Sequence, residues 1–310
     1  MDNLEQNFGI ILDIVKQSLP NDLDCNGNLR KPGPTPKFSD ASVIALSILA
    51  EALMLDSEHY LFLLLSKRRR GHFKNLIDRS RYNRRRKQLN DLTEKVRQTL
   101  VKEMVYGQDV FLIDSMPIEI CKFARAKRAR ICRNDYETAP SFGGCVAQLK
   151  TYYGYKLHSV MTSTGVITHF AITKANVADL HFLQQIKACY PGCTLLGDRA
   201  YLSNPLQQEL FDEYRLLLNT PMRRNQKNYR RQPAVFRKTR KRIETAFSQL
   251  TDQFDIQKNY AKSFWGFTTR IIAKITALTI SQFISSTSRQ RHQLIILSMS
   301  SSRQITSTTG

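Results

Sequence analysis

At 310 residues the chain has room for two domains with full cores, and its 42% hydrophobic fraction is that of a globular protein rather than a disordered one. The charge is unusual: 47 Lys and Arg against 26 Asp and Glu leave +21. A field of that sign and size disfavours cationic partners and selects polyanions, nucleic acid first and an anionic membrane surface second.

The first residues, MDNLEQNFGIILDIV, are acidic where a secretory leader is basic, so the expected location is the cytoplasm. Leu4, Phe8, Ile11, Ile14 and Val15 have helical spacing. The four prolines of PNDLDCNGNLRKPGPTPK, residues 20–37, forbid a continuing element, and the stretch reads as a linker. Ser39 or Asp40 then caps a helix that is apolar around most of its girth from Val43 to Leu53, which predicts a central position. From 67 to 97, basic residues interleave with Tyr82, Leu89, Leu92 and Val96, as in one or two basic amphipathic helices. No acid interrupts residues 79–90, a face that repels itself unless an anion covers it, and Arg84, Arg85 and Arg86 at its centre are the expected DNA contacts. The turn signature of a helix-turn-helix is weak there.

After residue 108 the period shifts. Strands are expected at 110–114, 153–162 and 166–175, the last two flanking the turn-forming Ser163-Thr164-Gly165. A helix follows at 178–190, a strand at 193–198, a helix at 204–214 with Pro205 in its first turn, and a strand at 215–220. Three early strands that can lie antiparallel, then strand–helix alternation that demands parallel neighbours, make an α/β sheet. A second basic block, 223–242, runs into a helix with Ile243, Phe247, Leu250 and Phe254 on one face. The apolar run 271–284 is too short for a membrane span and carries Lys274, so no membrane association is expected. The Ser/Thr-rich end, 286–310, is expected to be poorly ordered. The six cysteines form no CxxC pair and read as isolated reduced thiols.

Three acids stand out. Asp114 and Asp198 each end an expected strand, and carboxyl ends of parallel strands converge on the edge where open sheets bind ligands. A single acid after an apolar strand is usually only a turn former or helix cap, and it is the pair at equivalent places that points to function. Glu244 borders the buried face of its helix and is the only acid between Glu213 and Asp252; its plain alternative is an i,i+4 pair with Arg240. Gathered carboxylates repel one another unless cations neutralise them. Mg²⁺ does so with oxygen ligands, and a pair of such ions about 3.5–4 Å apart suits phosphodiester chemistry.

The ordered set LIDSMPIEIC (112–121), YYGYKLHSVMTSTG (152–165), ANVADL (175–180), LLGDRAY (195–201) and RKRIETAFSQL (240–250) resembles a DDE transposase of bacterial insertion sequences, most closely the group named after insertion sequence 982. The resemblance covers residues 35–285 and implies an RNase H-like mixed sheet flanked by helices (106–285), preceded by a helical, basic region that binds transposon ends (1–105). It also implies that Asp114, Asp198 and Glu244 are catalytic and bind Mg²⁺, with Mn²⁺ an alternative. Implied partners are double-stranded DNA, as terminal repeats and target, and a second copy of the chain in a homodimer. One departure concerns a Tyr-x2-Arg-x3-Glu-x6-Lys pattern: Arg240 and Glu244 match, while Arg237 and Thr251 replace the Tyr and Lys, leaving Lys241 or Lys258 to supply that contact. Lys156, Arg199, Arg223, Arg224, Arg240 and Lys241 are the further expected DNA contacts, and Tyr153, Tyr155 or Tyr201 would stack on an unpaired base. His158 reads as a proton-transfer group or a structural histidine, and the basic stretch 121–135 as a loop over the DNA. Two rivals remain: a stand-alone nuclease of the same fold, and a non-catalytic DNA-binding descendant of a transposase.

Overall fold

The computed structural model describes residues 3–67, 70–145, 149–222 and 229–288. Arg223, Arg224 and all but the first residues of the expected tail lie outside them. In chain order the elements are α1 (Asn3–Ser18), α2 (Asp40–Ala52), α3 (Glu58–Ser66), α4 (Arg79–Gln88), α5 (Asn90–Met104), β1 (Val110–Glu119), β2 (Ser141–Cys145), β3 (Lys150–Thr162), β4 (Ile167–Lys174), α6 (Asp179–Ile186), β5 (Thr194–Leu196), α7 (Asn204–Tyr214), β6 (Leu217–Asn219), α8 (Ala234–Asp252) and α9 (Phe264–Ser288). They form two compact units. One takes the chain through Met104, Gln253–Asp255 and the chain from Trp265; the other takes Val105–Asp252 and Ile256–Phe264.

The first unit is helical. Ser39 caps α2 by accepting the Ser42 N–H, as its residue type predicts, and α2 is buried from Ala41 to Glu51 except at Ser42. A buried Glu51 requires compensation, and α9 supplies it: Arg270 Nε lies 2.7 Å and Lys274 Nζ 2.8 Å from the carboxylate. Burial alone would raise the Glu51 carboxyl, but these two cations hold it below its ordinary value. Here lies the reason that α9, which the sequence assigns to the second region, groups with the first. Lys274, the charge that interrupts the apolar run, is fully buried and also donates to the Phe254 carbonyl at 2.6 Å.

The second unit is a six-stranded sheet in the order β2-β3-β1-β5-β6, with β4 pairing β3 beyond β2. β1, β3 and β4 are antiparallel neighbours, while β5 and β6 run parallel to β1. Three antiparallel strands followed by two parallel ones, ordered β4-β3-β1-β5-β6, is the RNase H-like arrangement the resemblance implies. α6 and α7 cover one face, where Phe111, Ile113, Val160, Phe182, Leu195, Leu210 and Leu218 form one core. α8 packs against β1. β2 was invisible in the sequence, because Ser-Phe-Gly-Gly-Cys has almost no strand signal; it forms by adding to the start of β3. The expected loop 121–135 is partly folded, with a 3₁₀ helix at Phe123–Arg128 and the Cys132 N–H bound to the Lys262 carbonyl at 2.9 Å. All six cysteines are free.

Candidate active site

Register brings the two aspartates together. β1 and β5 pair in parallel with Leu112 opposite Leu196, an offset of 196 − 112 = 84, and the aspartates keep it, 198 − 114 = 84. Both therefore lie two residues past the last parallel pair, on adjacent chains whose strands are about 4.8 Å apart. β5 stops there. A Cβ on Gly197 would come 3.2 Å from Ile113 Cγ2 and from Tyr201 Cδ2, so glycine lets the chain turn closely over the sheet. Asp198 then caps the short helix Arg199–Tyr201, its Oδ1 accepting the Ala200 N–H at 2.8 Å.

β1 does not end at Asp114, as its sequence suggests. It continues to Glu119 because β3 goes on pairing with it, from Asp114 opposite Ser159 to Glu119 opposite Gly154. That close approach needs glycine, since a Cβ at Gly154 would fall 2.1 Å from the Ile118 carbonyl oxygen. Asp114 is thus held by β3 on one side and faces the end of β5 on the other. Its Oδ1 accepts the Ser115 N–H at 2.8 Å. Burial pushes its carboxyl up to about 7; the Ser115 N–H opposes this, the Asp198 charge adds to it, Arg240 opposes and Asp179 adds again.

Asp179 is a residue that sequence reasoning missed, reading it only as the start of a helix. Strand alternation puts Ser115, His158 and Lys156 on one face, and the first turn of α6 closes over that row. Asp179 Oδ1 accepts from Ser115 Oγ at 3.2 Å and Lys156 Nζ at 3.0 Å, and lies 3.5 Å from His158 Nδ1. Lys156 also donates to the Val177 carbonyl at 2.7 Å, so it is turned inward rather than towards a phosphate. His158 is fully buried, its Nε2 2.8 Å from Thr173 Oγ1 and its ring stacked on Phe182. Burial pushes its pKa down to about 4, against the pull of Asp179. The imidazole is neutral and sealed, which makes it structural. Around these acids, Ser159 Oγ, Tyr201 Oη and His158 Nδ1 are buried without a hydrogen-bond partner among the described residues.

Residues 106–280, 175 of the 310, match the family model described as the transposase DDE domain. The chain belongs to the DDE transposase family. No curated protein matches it. Among solved structures, it is similar to the chain described as Mos1 transposase in a paired-end complex with the left transposon end, at 11% identity over 82% of this chain and 81% of that one. The TM-score of 0.22 is too low for that likeness to bear on the site.

In this transposase Glu244 is exposed on α8, one turn past the half-buried Arg240. Among the described residues no three acidic, histidine or cysteine side chains are grouped closely enough to hold a metal ion. The structure brings Asp114 and Asp198 together; the charge of Asp179, which bonds residues on the other face of the sheet, is also felt at Asp114, and from α8 it is Arg240, not Glu244, whose charge is felt there. Arg199, Lys241 and Arg84 are exposed, as DNA contacts would be. Arg85 and Arg86 are not. Arg85 bonds Asp40 at 2.6 Å and the Phe38 carbonyl at 2.7 Å, and Arg86, 5% exposed, bonds Glu58 at 2.8 Å. An amphipathic helix must turn some of ten consecutive positions inward, and in so basic a segment arginine is what it turns. The three tyrosines expected to stack on a base are buried as well: Tyr155 donates to the Thr138 carbonyl, Tyr153 accepts from Arg133, and Tyr201 lies in the core.

Proposed function

We propose that this transposase cuts and rejoins DNA phosphodiesters at Asp114 and Asp198, as the enzyme of an insertion sequence of the insertion sequence 982 group, with Glu244 as the third acid. The supporting observation is the shared register of the two aspartates, which sets two carboxylates side by side where their charges oppose each other. Such a pair favours a cation, and its donors are hard oxygens of the kind Mg²⁺ or Mn²⁺ takes. When bound, the metal supplies Lewis-acid activation of the phosphoryl group and of the attacking oxygen.

The chain's own residues do the rest. Asp114 gives up its proton before it can serve as a ligand, and Asp198, capping its turn, keeps a second oxygen directed away from the Ala200 N–H. Arg240 draws the phosphate towards the pair, and the exposed Arg199 and Lys241 hold the flanking backbone. Terminal repeats and target are the DNA partners, engaged by a homodimer. No helix among the described residues is long and apolar enough to cross a membrane, and the site of action in this reading is nucleoid DNA in the cytoplasm.

The test is cleavage and joining of DNA carrying the element's own ends, in Mg²⁺, by wild type, Asp198→Asn and Glu244→Gln. The expected result is joined product from wild type and none from either variant, with DNA binding retained. Cleavage without joining by wild type indicates the stand-alone nuclease. Binding without cleavage indicates the non-catalytic regulator.

A further inference from the structure

The segment Arg30–Lys37, Arg-Lys-Pro-Gly-Pro-Thr-Pro-Lys, is exposed at every residue, yet its base is fixed. Asn28 Nδ2 donates to the Pro36 carbonyl at 3.2 Å, closing the two limbs together. The Leu29 N–H bonds Asp40 Oδ2 at 3.0 Å, and the Asp40 N–H bonds Asn28 Oδ1 at 3.2 Å. Arg85 clamps Asp40 from α4. What the sequence presents as a linker is therefore a pinned loop whose exposed, proline-stiffened tip, Pro32-Gly33-Pro34, lines a cavity with Arg85, Gln88 and Leu89, while a Cβ on Gly33 would meet nothing within 4 Å. Its three cations, Arg30, Lys31 and Lys37, form no ion pair among the described residues, and the loop carries no acid. A cavity of about 400 Å³ separates it from the C-terminal end of α4, lined by Arg30, Pro34, Arg85 and Gln88 among others.

We propose that this loop is an arm that enters the minor groove of duplex DNA, flanking the contact made by the exposed face of α4 at Arg84. The inference rests on the transposase reading and assigns its DNA-end recognition to a second element. From Gly33 to the pinned Pro36 are three residues, which at about 3.3 Å each let the tip reach at most roughly 10 Å from its base, beyond the ~7.5 Å depth of the minor groove. Prolines are among the side chains that wedge between base steps there, and cations on both limbs meet the negative potential of a narrow groove. Pinning at the base and proline at the tip reduce the ordering entropy that a flexible arm would lose on binding. The buried, paired state of Arg85 and Arg86 leaves this arm as a source of the charge that the helix withholds.

The experiment measures binding of the full chain to a duplex carrying the element's end, across salt concentrations, for wild type and for Arg30→Gln/Lys31→Gln/Lys37→Gln. Three cations at about 0.9 counterions each should lower the slope of log K against log salt by about 2.7, on the order of a 100-fold loss at 0.15 M salt. Replacing A·T by I·C pairs keeps the minor-groove pattern and changes the major-groove one. The wild-type to variant ratio should persist on that DNA; its collapse would put the loop in the major groove and overturn the proposal. Equal affinities and slopes for the two proteins would overturn it while leaving the catalytic reading intact. Wild type without affinity for any duplex would remove both. Thermal melts check that the variant folds.

Discussion

Replacing Asp114 by Asn should stabilise the metal-free protein, although it destroys the proposed site. The carboxyl has an ordinary pKa of 3.8 in the unfolded chain and is pushed up to about 7 when folded, chiefly by burial. Below pH 3.8 both states hold the proton and no difference arises. As pH rises from 4 to 7 the unfolded state ionises first, so stability is lost through that window and the full penalty is present above pH 7. At about 1.4 kcal/mol per pH unit, the gap amounts to about 4 kcal/mol. The Asn amide keeps the shape and can still accept the Ser115 N–H, so the variant avoids the penalty. Urea melts of wild type and Asp114→Asn in EDTA should coincide near pH 4 and separate by a few kcal/mol at pH 8, the variant being the more stable. Adding Mg²⁺ at pH 8 should narrow the gap by stabilising wild type alone. A variant less stable than wild type at every pH would refute the argument, because Asp114 would then be a structural acid held by partners rather than one strained by burial and its neighbours.

Asp179→Asn removes one of the charges that raise Asp114, so carboxylate NMR of the metal-free protein should find Asp114 titrating at lower pH, with strand joining reduced and duplex binding unchanged. Glu51→Gln would leave Arg270 and Lys274 buried without their counter-charge; a loss of about 3–5 kcal/mol in chemical denaturation is expected. Gly154→Ala drives a methyl group into the Ile118 carbonyl, a backbone atom that cannot swing aside, and should cost about 3 kcal/mol or prevent folding, seen as a lowered Tm and lost β1–β3 amide protection.

The sheet was largely legible because its strands are apolar runs with clear breaks: 153–162 and 166–175 lie within a residue or a few of β3 and β4, and the two helices between the parallel strands stand as α6 and α7. Strand β1 outran its apolar run because pairing with β3, not hydrophobicity, sets its length. The meeting of Asp114 and Asp198 followed from their position after parallel strands, a rule that topology enforces. Asp179 escaped because the same residue type also starts helices, and nothing local says that the row Ser115–His158–Lys156 lies beneath it. The basic helix was found but its inward face was misjudged: composition shows that α4 is rich in arginine, while only packing against α2 and α3 decides which arginines are consumed.

The clasp between Glu51 and α9 joins residues more than two hundred positions apart, and this dictates an order of events during synthesis. A ribosome releases α1 to α5 first, but their central helix carries an acid whose buried counter-charges, Arg270 and Lys274, have not yet been made. The whole sheet unit emerges and can fold before the helical unit can close. A nascent chain therefore owns a folded sheet unit before it owns a finished helical one, and a chain that terminates before α9 never acquires the second.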